Sequence, residues 1–183
     1  MDNEAEKEYQ LLTQVAKRDK AAFESLYRLL SRPVFHYLYR LLQNRETAED
    51  ILMEVFSAVW KNAGRFKGKS RVRTWVFGIA RNQAYNQFRK NDRYMTDPLD
   101  ERIGDSRSTA PFKGFENSQL VQNALERVSE KHREILDLVF FHGSPYAEIA
   151  SLLGIPENTV KTRVYYAKAA LKQMILDMEG GTV

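Results

Sequence analysis

The chain has 183 residues and a formal net charge of +4, which is enough length for one large domain or two small ones. It has no cysteine, so disulfides and thiolate metal sites are excluded. Its acidic, polar start differs from a signal peptide, and no apolar run approaches the length of a membrane span. These features predict a cytoplasmic protein with no membrane insertion.

The first part of the chain is a run of amphipathic helical patterns. Apolar periodicity predicts helices over residues 9–16 and 21–30, and Pro33 is expected to open a third helix. Thr47 is a suitable N-cap for a fourth helix, because acidic residues follow in its first turn. The wide apolar stripe of that helix consists of Ile51, Leu52, Val55, Phe56, Val59 and Trp60. Its acidic residues are expected on or beside the exposed side.

The charge pattern changes abruptly after that helix. Between residues 55 and 91 there is no Asp or Glu, and lysines and arginines alternate with aromatic residues. Phosphates need cations and unstacked bases need aromatic surfaces, so this mixture suits single-stranded or melted nucleic acid. Helical spacing instead predicts that Trp75, Phe77 and Phe88 are core residues. Phe66 differs from them, because it lies in a Gly-rich loop where burial has less support.

The helical pattern is lost over residues 93–117, where prolines, glycines, serines and threonines accumulate. A structureless segment of this length is uncommon inside one compact domain, so it is interpreted as a linker between two domains. Beyond it, residues 118–128 and 130–140 read as helices.

The stretch from Ser144 to Met174 has the pattern of a helix-turn-helix. Ser144 is expected to cap the first helix, and the sequence Gly154-Ile155-Pro156 ends that helix and starts the next. The second helix has an apolar stripe of Val160, Val164, Ala167, Leu171 and Ile175. Its other face has many hydrogen-bond donors, as a helix in the DNA major groove requires. An ordinary helical hairpin with a solvated basic side is the alternative.

Signatures of an enzyme are missing from the sequence. The three histidines, His36, His132 and His142, lack metal-ligand spacing and are expected to be structural or at the surface. There is no phosphate-binding glycine motif and no Ser, His and acid set. The chain is therefore predicted to be a binding protein without catalytic residues, cofactor or metal.

Four segments carry a family resemblance: TAEDILMEVFSAVW, RFKG, TWVFGIARN and EIASLLGIPENTVKTR. In this order and spacing the chain resembles the extracytoplasmic-function (ECF) sigma factors of bacterial RNA polymerase. The resemblance implies an all-α protein of two small helical domains joined by a flexible linker. Residues 1–92 would bind core RNA polymerase and read and melt the −10 promoter element. Residues 118–183 would read the −35 element through the helix-turn-helix.

The resemblance also implies where the polymerase binds. The family's helix for the coiled-coil clamp of the largest polymerase subunit corresponds to residues Glu49, Asp50, Met53, Glu54 and Phe56. Exposed carboxylates there can pair with basic groups of the partner and orient it. The family often has Gln at the position of Met53, so one polar contact differs here.

The −10 element is read in the family by a loop and the helix that follows it. The corresponding residues are Phe66, Arg73, Trp75, Ile79, Ala80, Asn82 and Arg89. Phe66 and Asn82 match positions that trap flipped bases, with Ile79 and Ala80 lining the pocket. An Asn side chain can both donate to and accept from a base edge.

The −35 element corresponds to the second helix of the helix-turn-helix. Its matching residues are Asn158, Thr159, Lys161, Thr162, Arg163, Tyr165, Tyr166 and Lys168. Lys161, Thr162, Tyr165 and Tyr166 match positions on the family's −35 recognition helix. Thr159, Arg163 and Lys168 are better placed for phosphates. Many family members have Gly where Asn158 stands, and Arg is common at the position of Tyr166. The preferred −35 sequence is therefore expected to differ from the family's usual one.

The linker resembles the family's segment that threads through the active-site and RNA-exit region of the polymerase. The acids that would mimic nucleic-acid charge there are Asp92, Asp97, Asp100, Glu101, Asp105 and Glu116. A merely flexible tether is the alternative.

Two other functions compete with the sigma-factor interpretation. A conventional helix-turn-helix regulator would bind duplex DNA without polymerase and use the N-terminal half as an effector domain. An interaction protein would only sequester a partner through the helix of residues 49–60. An anti-sigma protein is a further expected partner, since ECF sigma factors usually respond to one.

Overall fold

The structure is a computed structural model that describes residues 2–90 and 119–180. Every regular element in these two ranges is a helix or a helical turn, and the chain divides into two compact units, 1–96 and 97–183. The predicted all-α class with two helical domains is confirmed. The predicted linker and its six acidic residues lie outside the described residues.

The N-terminal unit contains four helices. They are α1 (Asp2–Ala16), α2 (Lys20–Leu42), α3 (Arg45–Asn62) and α4 (Val72–Lys90), with a 3-10 turn at Ala63–Arg65. Helix α2 packs against the other three, and its fully buried stripe includes Leu26, Leu30, Val34 and Leu38. Each such side chain contributes about 1.5–3 kcal/mol by leaving water. Burial around α2 therefore holds this unit together.

Pro33 lies inside a continuous helix, so the prediction that it opens a separate one is wrong. A proline in a helix interior costs about 3 kcal/mol through a lost hydrogen bond and a ring clash. Here Leu30 and Val34, on either side of it, are both 0% exposed. Their burial offsets the cost of the proline, and the helix runs on to Leu42.

Helix α3 begins three residues earlier than expected, because its cap is Asn44 and not Thr47. The side-chain oxygen of Asn44 accepts a hydrogen bond from the backbone N–H of Thr47 at 2.8 Å. Asn and Thr both cap helices well, and an Asn at this point satisfies a donor that Thr47 itself presents. Thr47 becomes a residue of the first turn.

The C-terminal unit packs three short helices on a long one. They are α5 (Gln119–Arg127), α6 (Glu130–Leu136), α7 (Tyr146–Leu153) and α8 (Glu157–Gly180), with a π-helical turn at Asp137–Phe141 after α6. The predicted stripe of α8 is buried at Val160, Val164, Ala167 and Leu171, and Ile175 is half-buried. The periodicity of this helix therefore identified its packed face correctly.

Arg133 is a core residue that the sequence pattern did not single out. Its Nε donates to the carbonyl of Leu125 at 2.8 Å, and one Nη donates to those of Glu126 and Val128 at 2.8 and 3.1 Å. The first two carbonyls belong to the last turn of α5, where carbonyls have no partner within the helix, and Val128 follows that turn directly. A buried guanidinium thus closes the C-terminus of α5 and ties it to α6.

The helix-turn-helix begins later than predicted, since α7 starts at Tyr146 and Ser144 does not cap it. The backbone N–H of Ser144 donates instead to the carbonyl of Leu138 at 3.0 Å. Just before it, the ring of His142 contacts the carboxylate of Asp137 at 2.9 Å, with both side chains buried. The tight turn at Gly154 is confirmed by a φ of 67° at that residue.

Candidate functional site

Helix α3 presents an acidic face with an apolar residue at its centre. Asp50, Met53 and Glu54 follow the three- and four-residue spacing that places side chains on one face, and all three are exposed. Met53 is 65% exposed, which is unusual for a large apolar side chain. Glu49 is also exposed and pairs with Arg45 of the same helix at 2.9 Å. The sequence-predicted carboxylates are thus open to a partner.

Phe56 belongs to the core and not to that surface. It is 3% exposed, and its ring lies edge-on to Tyr27 of α2, with the ring centroids 4.7 Å apart. A side chain this buried cannot contact a partner without unpacking α2 from α3. The prediction that Phe56 contacts the polymerase directly is therefore wrong, and its ring instead packs beneath the exposed face of α3.

Phe66 follows the 3-10 turn and lies in a cluster of aromatic rings. Its ring centroid is 5.4 Å from that of Trp75 on α4 and 6.4 Å from that of Tyr9 on α1. Phe66 is half-buried, because these two rings cover part of its surface. Tyr9 was missed by the sequence reasoning because no local pattern connects it with residues 66 and 75. Three flanking cations, Arg65, Lys67 and Lys69, are exposed.

Arg73 does not present a free charge to DNA. Its guanidinium donates to Glu8 at 2.8 and 3.1 Å and to Glu4 at 2.9 Å. The side chain that was predicted to contact the −10 element is therefore already paired with two carboxylates of α1. Arg73 holds α1 against α4, and its direct role in DNA binding is corrected accordingly.

Helix α4 carries the remaining residues of the predicted −10 surface. Trp75, Ile79, Asn82 and Arg89 follow helical spacing along one face, on which Asn82 and Arg89 are exposed and the first two are half-exposed. Ala80 lies on the other side of the helix and is 0% exposed. It packs in the core, so its predicted place in the lining of a base pocket is incorrect.

Helix α8 presents the predicted −35 residues opposite its buried stripe. Asn158, Lys161 and Thr162 are exposed. The half-exposed members of the set are Thr159, Arg163, Tyr165, Tyr166 and Lys168. The hydroxyl of Thr162 donates to the carbonyl of Asn158 at 3.0 Å, which leaves its methyl group free for an apolar contact.

Four of these side chains have partners that affect what they can bind. Lys161 pairs with Glu157 at 3.3 Å, and both side chains are about half exposed. Lys168 lies over the ring of Phe140, with Nζ 5.1 Å from the centroid. The rings of Tyr165 and Tyr166 meet edge-on at 5.4 Å, which restrains both.

His132 of α6 lies in the electrostatic field of this helix. Burial lowers the pKa of His132 from its ordinary value, and the positive charge of Arg163 lowers that pKa further. His132 was expected to be structural or at the surface, and it is half-buried.

Within residues 2–90 and 119–180, no group of three or more His, Cys, Asp or Glu side chains is arranged to hold a metal ion. In the same ranges no helix combines the length and the apolar character that crossing a bilayer needs.

Comparison with known proteins places both units in one family. Residues 26–94 match the family model for Sigma-70 region 2, and residues 118–171 match that for Sigma-70 region 4. The chain is 30% identical over 167 residues to the ECF RNA polymerase sigma factor SigM of Mycobacterium tuberculosis, covering 91% of this chain and 83% of SigM. It is 26% identical over 183 residues to the ECF RNA polymerase sigma factor SigW of Bacillus subtilis, covering 91% and 96% of the two chains.

Solved structures agree with this assignment. The sigma factor RpoE, in its complex with the anti-sigma factor NepR from Bartonella quintana, superposes with a TM-score of 0.66 at 25% identity, covering 84% of this chain and 96% of RpoE. CnrH, in complex with the cytosolic domain of CnrY, has the same fold with a TM-score of 0.69 at 18% identity, covering 92% and 97%. With both sigma regions present in order and a 30% identical relative matched over most of its length, the chain belongs to the ECF sigma factors of RNA polymerase.

Proposed function

We propose that this ECF sigma factor binds core RNA polymerase, directs it to specific promoters and promotes opening of the DNA there. It acts as a transcription initiation factor and not as an enzyme. The observation that carries this proposal is the presence of region 2 and region 4 in one chain, at residues 26–94 and 118–171. A conventional regulator needs only a helix-turn-helix for its contact with DNA.

The polymerase is proposed to contact the α3 face of Glu49, Asp50, Met53 and Glu54. The exposed thioether of Met53 supplies apolar area at the centre, and the carboxylates around it steer a basic partner. This arrangement of an apolar centre within a charged rim is typical of protein–protein interfaces.

The −10 element is proposed to meet the α4 face of Trp75, Ile79, Asn82 and Arg89 together with Phe66. This surface combines ring faces with an exposed amide and lies in a stretch that lacks acidic residues. Ring faces stack on any unpaired base, and the amide of Asn82 can distinguish base edges. This surface is expected to bind intact duplex poorly, because the bases of a duplex are already stacked on one another.

The −35 element is proposed to receive α8 in its major groove. Lys161, Thr162, Tyr165 and Tyr166 would face bases, with Asn158 beside them. Thr159, Arg163 and Lys168 would hold the backbone. Because Lys161 is paired with Glu157, the complex must rearrange this ion pair or read the DNA with both charges present.

An anti-sigma factor is a proposed regulatory partner, and the proposed location is the cytoplasm. The first proposal is supported by the solved relative RpoE, which was captured in complex with the anti-sigma factor NepR. The second follows from the proposed partner, because core RNA polymerase works in the cytoplasm of bacteria. The exposed faces of α3 and α8 are the surfaces that such a partner would need to cover to block transcription.

Run-off transcription with purified core polymerase and a library of randomised promoters tests the function. The full chain is expected to give discrete transcripts from a selected subset of templates. It should bind the same duplexes only weakly without core, because each DNA-reading surface alone is small. Tight, specific duplex binding without core would favour the conventional regulator. Core binding without any initiation would favour a protein that only sequesters its partner.

A further inference from the structure

Helix α1 lies before the residues matched by the region 2 family model, which begin at residue 26. It nevertheless packs against the 3-10 turn that leads into Phe66 and against α4. The first helix therefore borders the surface proposed to read melted DNA, although neither the family match nor the sequence motifs include it.

Tyr9 of α1 is placed where a base beside Phe66 would meet it. The ring centroids of Tyr9 and Phe66 are 6.4 Å apart, and the ring of Trp75 continues the same cluster. Tyr9 remains 50% exposed despite this contact. A ring that is held on one side and open on the other is a suitable platform for an unstacked base.

The neighbouring residue anchors this part of α1. Glu8 is 2% exposed and binds the guanidinium of Arg73 at 2.8 Å. The backbone carbonyl of Tyr9 also accepts a hydrogen bond from the hydroxyl of Thr13 at 2.9 Å. Tyr9 is thus presented from a fixed position, which lowers the entropy lost when a base stacks on it.

The charge around the cluster suits a nucleic acid. Arg65, Lys67 and Lys69, which flank Phe66 in sequence, are exposed. Two of the carboxylates of α1, Glu4 and Glu8, are paired with Arg73. Cations near an exposed ring can neutralise the phosphates on either side of a base that stacks on it.

We propose that Tyr9 is a further DNA-contacting residue, which stacks on an unpaired base of the melted promoter strand next to Phe66. This inference rests on the proposed function, since it requires that the α4 surface receives melted DNA. It extends the reading surface to a helix outside the region 2 match. An alternative occupant of the exposed ring is a polymerase side chain, and the experiment separates the two.

The experiment uses holoenzyme made from core polymerase and the full chain. The DNA is a promoter that the wild-type holoenzyme selects from a randomised library, with 2-aminopurine placed at successive non-template positions through and downstream of the −10 element. The variants are Tyr9→Ala, Tyr9→Leu and Tyr9→Phe. Tyr39→Ala is the matched control, because Tyr39 is another exposed tyrosine in contact with a phenylalanine, Phe35, outside the cluster.

Loss of one base–aromatic stack is expected to lower the yield of open complexes by roughly 5- to 150-fold in Tyr9→Ala. The 2-aminopurine signal should change at one position or two adjacent ones. Tyr9→Leu, which keeps an apolar contact with Phe66 but no ring, should behave like Tyr9→Ala. Tyr9→Phe should open the promoter as the wild type does, and Tyr39→Ala should have no effect. Core affinity should stay within about twofold of the wild-type value in all variants.

Wild-type opening by both Tyr9→Ala and Tyr9→Leu would overturn the inference. So would a loss of core affinity in these variants, which would make Tyr9 a protein contact. Failure of the wild-type holoenzyme to open any template would instead refute the proposed function on which the inference depends.

Discussion

Glu8 and Arg73 are 65 residues apart in sequence, and the carboxylate of Glu8 satisfies both the side chain and the backbone of Arg73. Its Oε1 accepts from the guanidinium at 2.8 and 3.1 Å, and its Oε2 accepts from the backbone N–H of Arg73 at 3.2 Å. Arg73 is the second residue of α4, where backbone N–H groups have no partner within the helix. A carboxylate from α1 therefore serves as the N-terminal cap of α4. Its negative charge also interacts favourably with the positive end of the α4 helix dipole.

The Glu8–Arg73 contact predicts a large difference between two glutamates of α1. Glu8→Ala is expected to destabilise the protein by about 1–3 kcal/mol, since it leaves donors of Arg73 unsatisfied in a partly buried place. Glu4→Ala is the control, because the Glu4 side chain is 63% exposed and should cost about 0.5 kcal/mol or less. Urea unfolding followed by circular dichroism measures both. Equal effects would mean that Glu8 does not cap α4.

Burial raises the pKa of Glu8 by more than Arg73 lowers it. The folded state therefore holds a proton on Glu8 more tightly than the unfolded chain does. The resulting stability is fully present below the ordinary glutamate pKa of about 4.3 and is lost as pH rises through the raised value. Gln does not titrate, so Glu8→Gln does not lose this stability. The free energy of unfolding of Glu8→Gln minus that of the wild type should therefore increase as pH rises through that window. A constant difference between pH 4 and 7 would contradict the raised pKa.

His132 is expected to titrate below its ordinary pKa of about 6.5. Because the folded state binds this proton less tightly, His132 supports the fold above that pH and the support is lost as pH falls through the lowered pKa. Arg163→Gln should move the pKa part of the way back, since burial is the larger cause. NMR titration of the ring measures it, with Lys161→Gln as a control of equal charge change. A full return to 6.5 in Arg163→Gln would make charge, and not burial, the main cause.

Reversing charge on the α3 face should impair binding to core polymerase. Asp50→Lys and Glu54→Lys are expected to slow association and lower affinity by roughly tenfold, with a reduced salt dependence. Both sites are exposed, so folding should change little. Glu24→Lys is the matched control, since Glu24 is exposed on α2 in a pair with Arg28. Unchanged affinity and salt dependence in both α3 variants would place the polymerase elsewhere.

Asn82→Ala should spare the closed complex and slow promoter opening. The exposed amide is proposed to hold a base edge that a ring surface alone cannot bind. A template that is already unpaired at the −10 element should restore part of the rate, because the cost of unpairing is met in advance. Asn86→Ala, one turn further along α4, should have a smaller effect. Permanganate footprints that show normal melting in Asn82→Ala would remove this residue from the reading surface.

Lys161 and Arg163 are expected to differ in what they contribute to −35 binding. Lys161→Ala should relax preference at one or two base positions by about 1–3 kcal/mol, and Glu157→Ala should strengthen the same contact by freeing the ammonium. Arg163→Ala should weaken all promoters about equally and reduce the salt slope by about one phosphate contact. Promoter selection from a library randomised at the −35 element, at two salt concentrations, measures this. A uniform loss in both variants would contradict the division of roles.

The sequence by itself determined that both units are helical, the family, and which helix faces are charged. Those properties depend on spacings of three and four residues, on Gly154 at a turn, and on a run without acids, all of which are visible locally. The stripe of α8 from Val160 to Leu171 was recognised for this reason. Periodicity placed Phe56 in the apolar stripe of α3, but the family resemblance assigned both Phe56 and Ala80 to binding surfaces. The structure buries both, because a site residue and its buried neighbour can lie one position apart on a helix.

Only the tertiary structure decided how distant residues change one another's roles. Burial of Leu30 and Val34 lets α2 continue past Pro33 without a break. The carboxylate of Glu8 in the first helix pairs with Arg73, so Arg73 is not free to contact DNA. Tyr9 joins Phe66 for the same reason, across 57 positions between residues 9 and 66. Such contacts arise from packing free energy and hydrogen-bond satisfaction summed over the whole unit. No local pattern encodes them, because the partner is absent from the window in which the pattern is read.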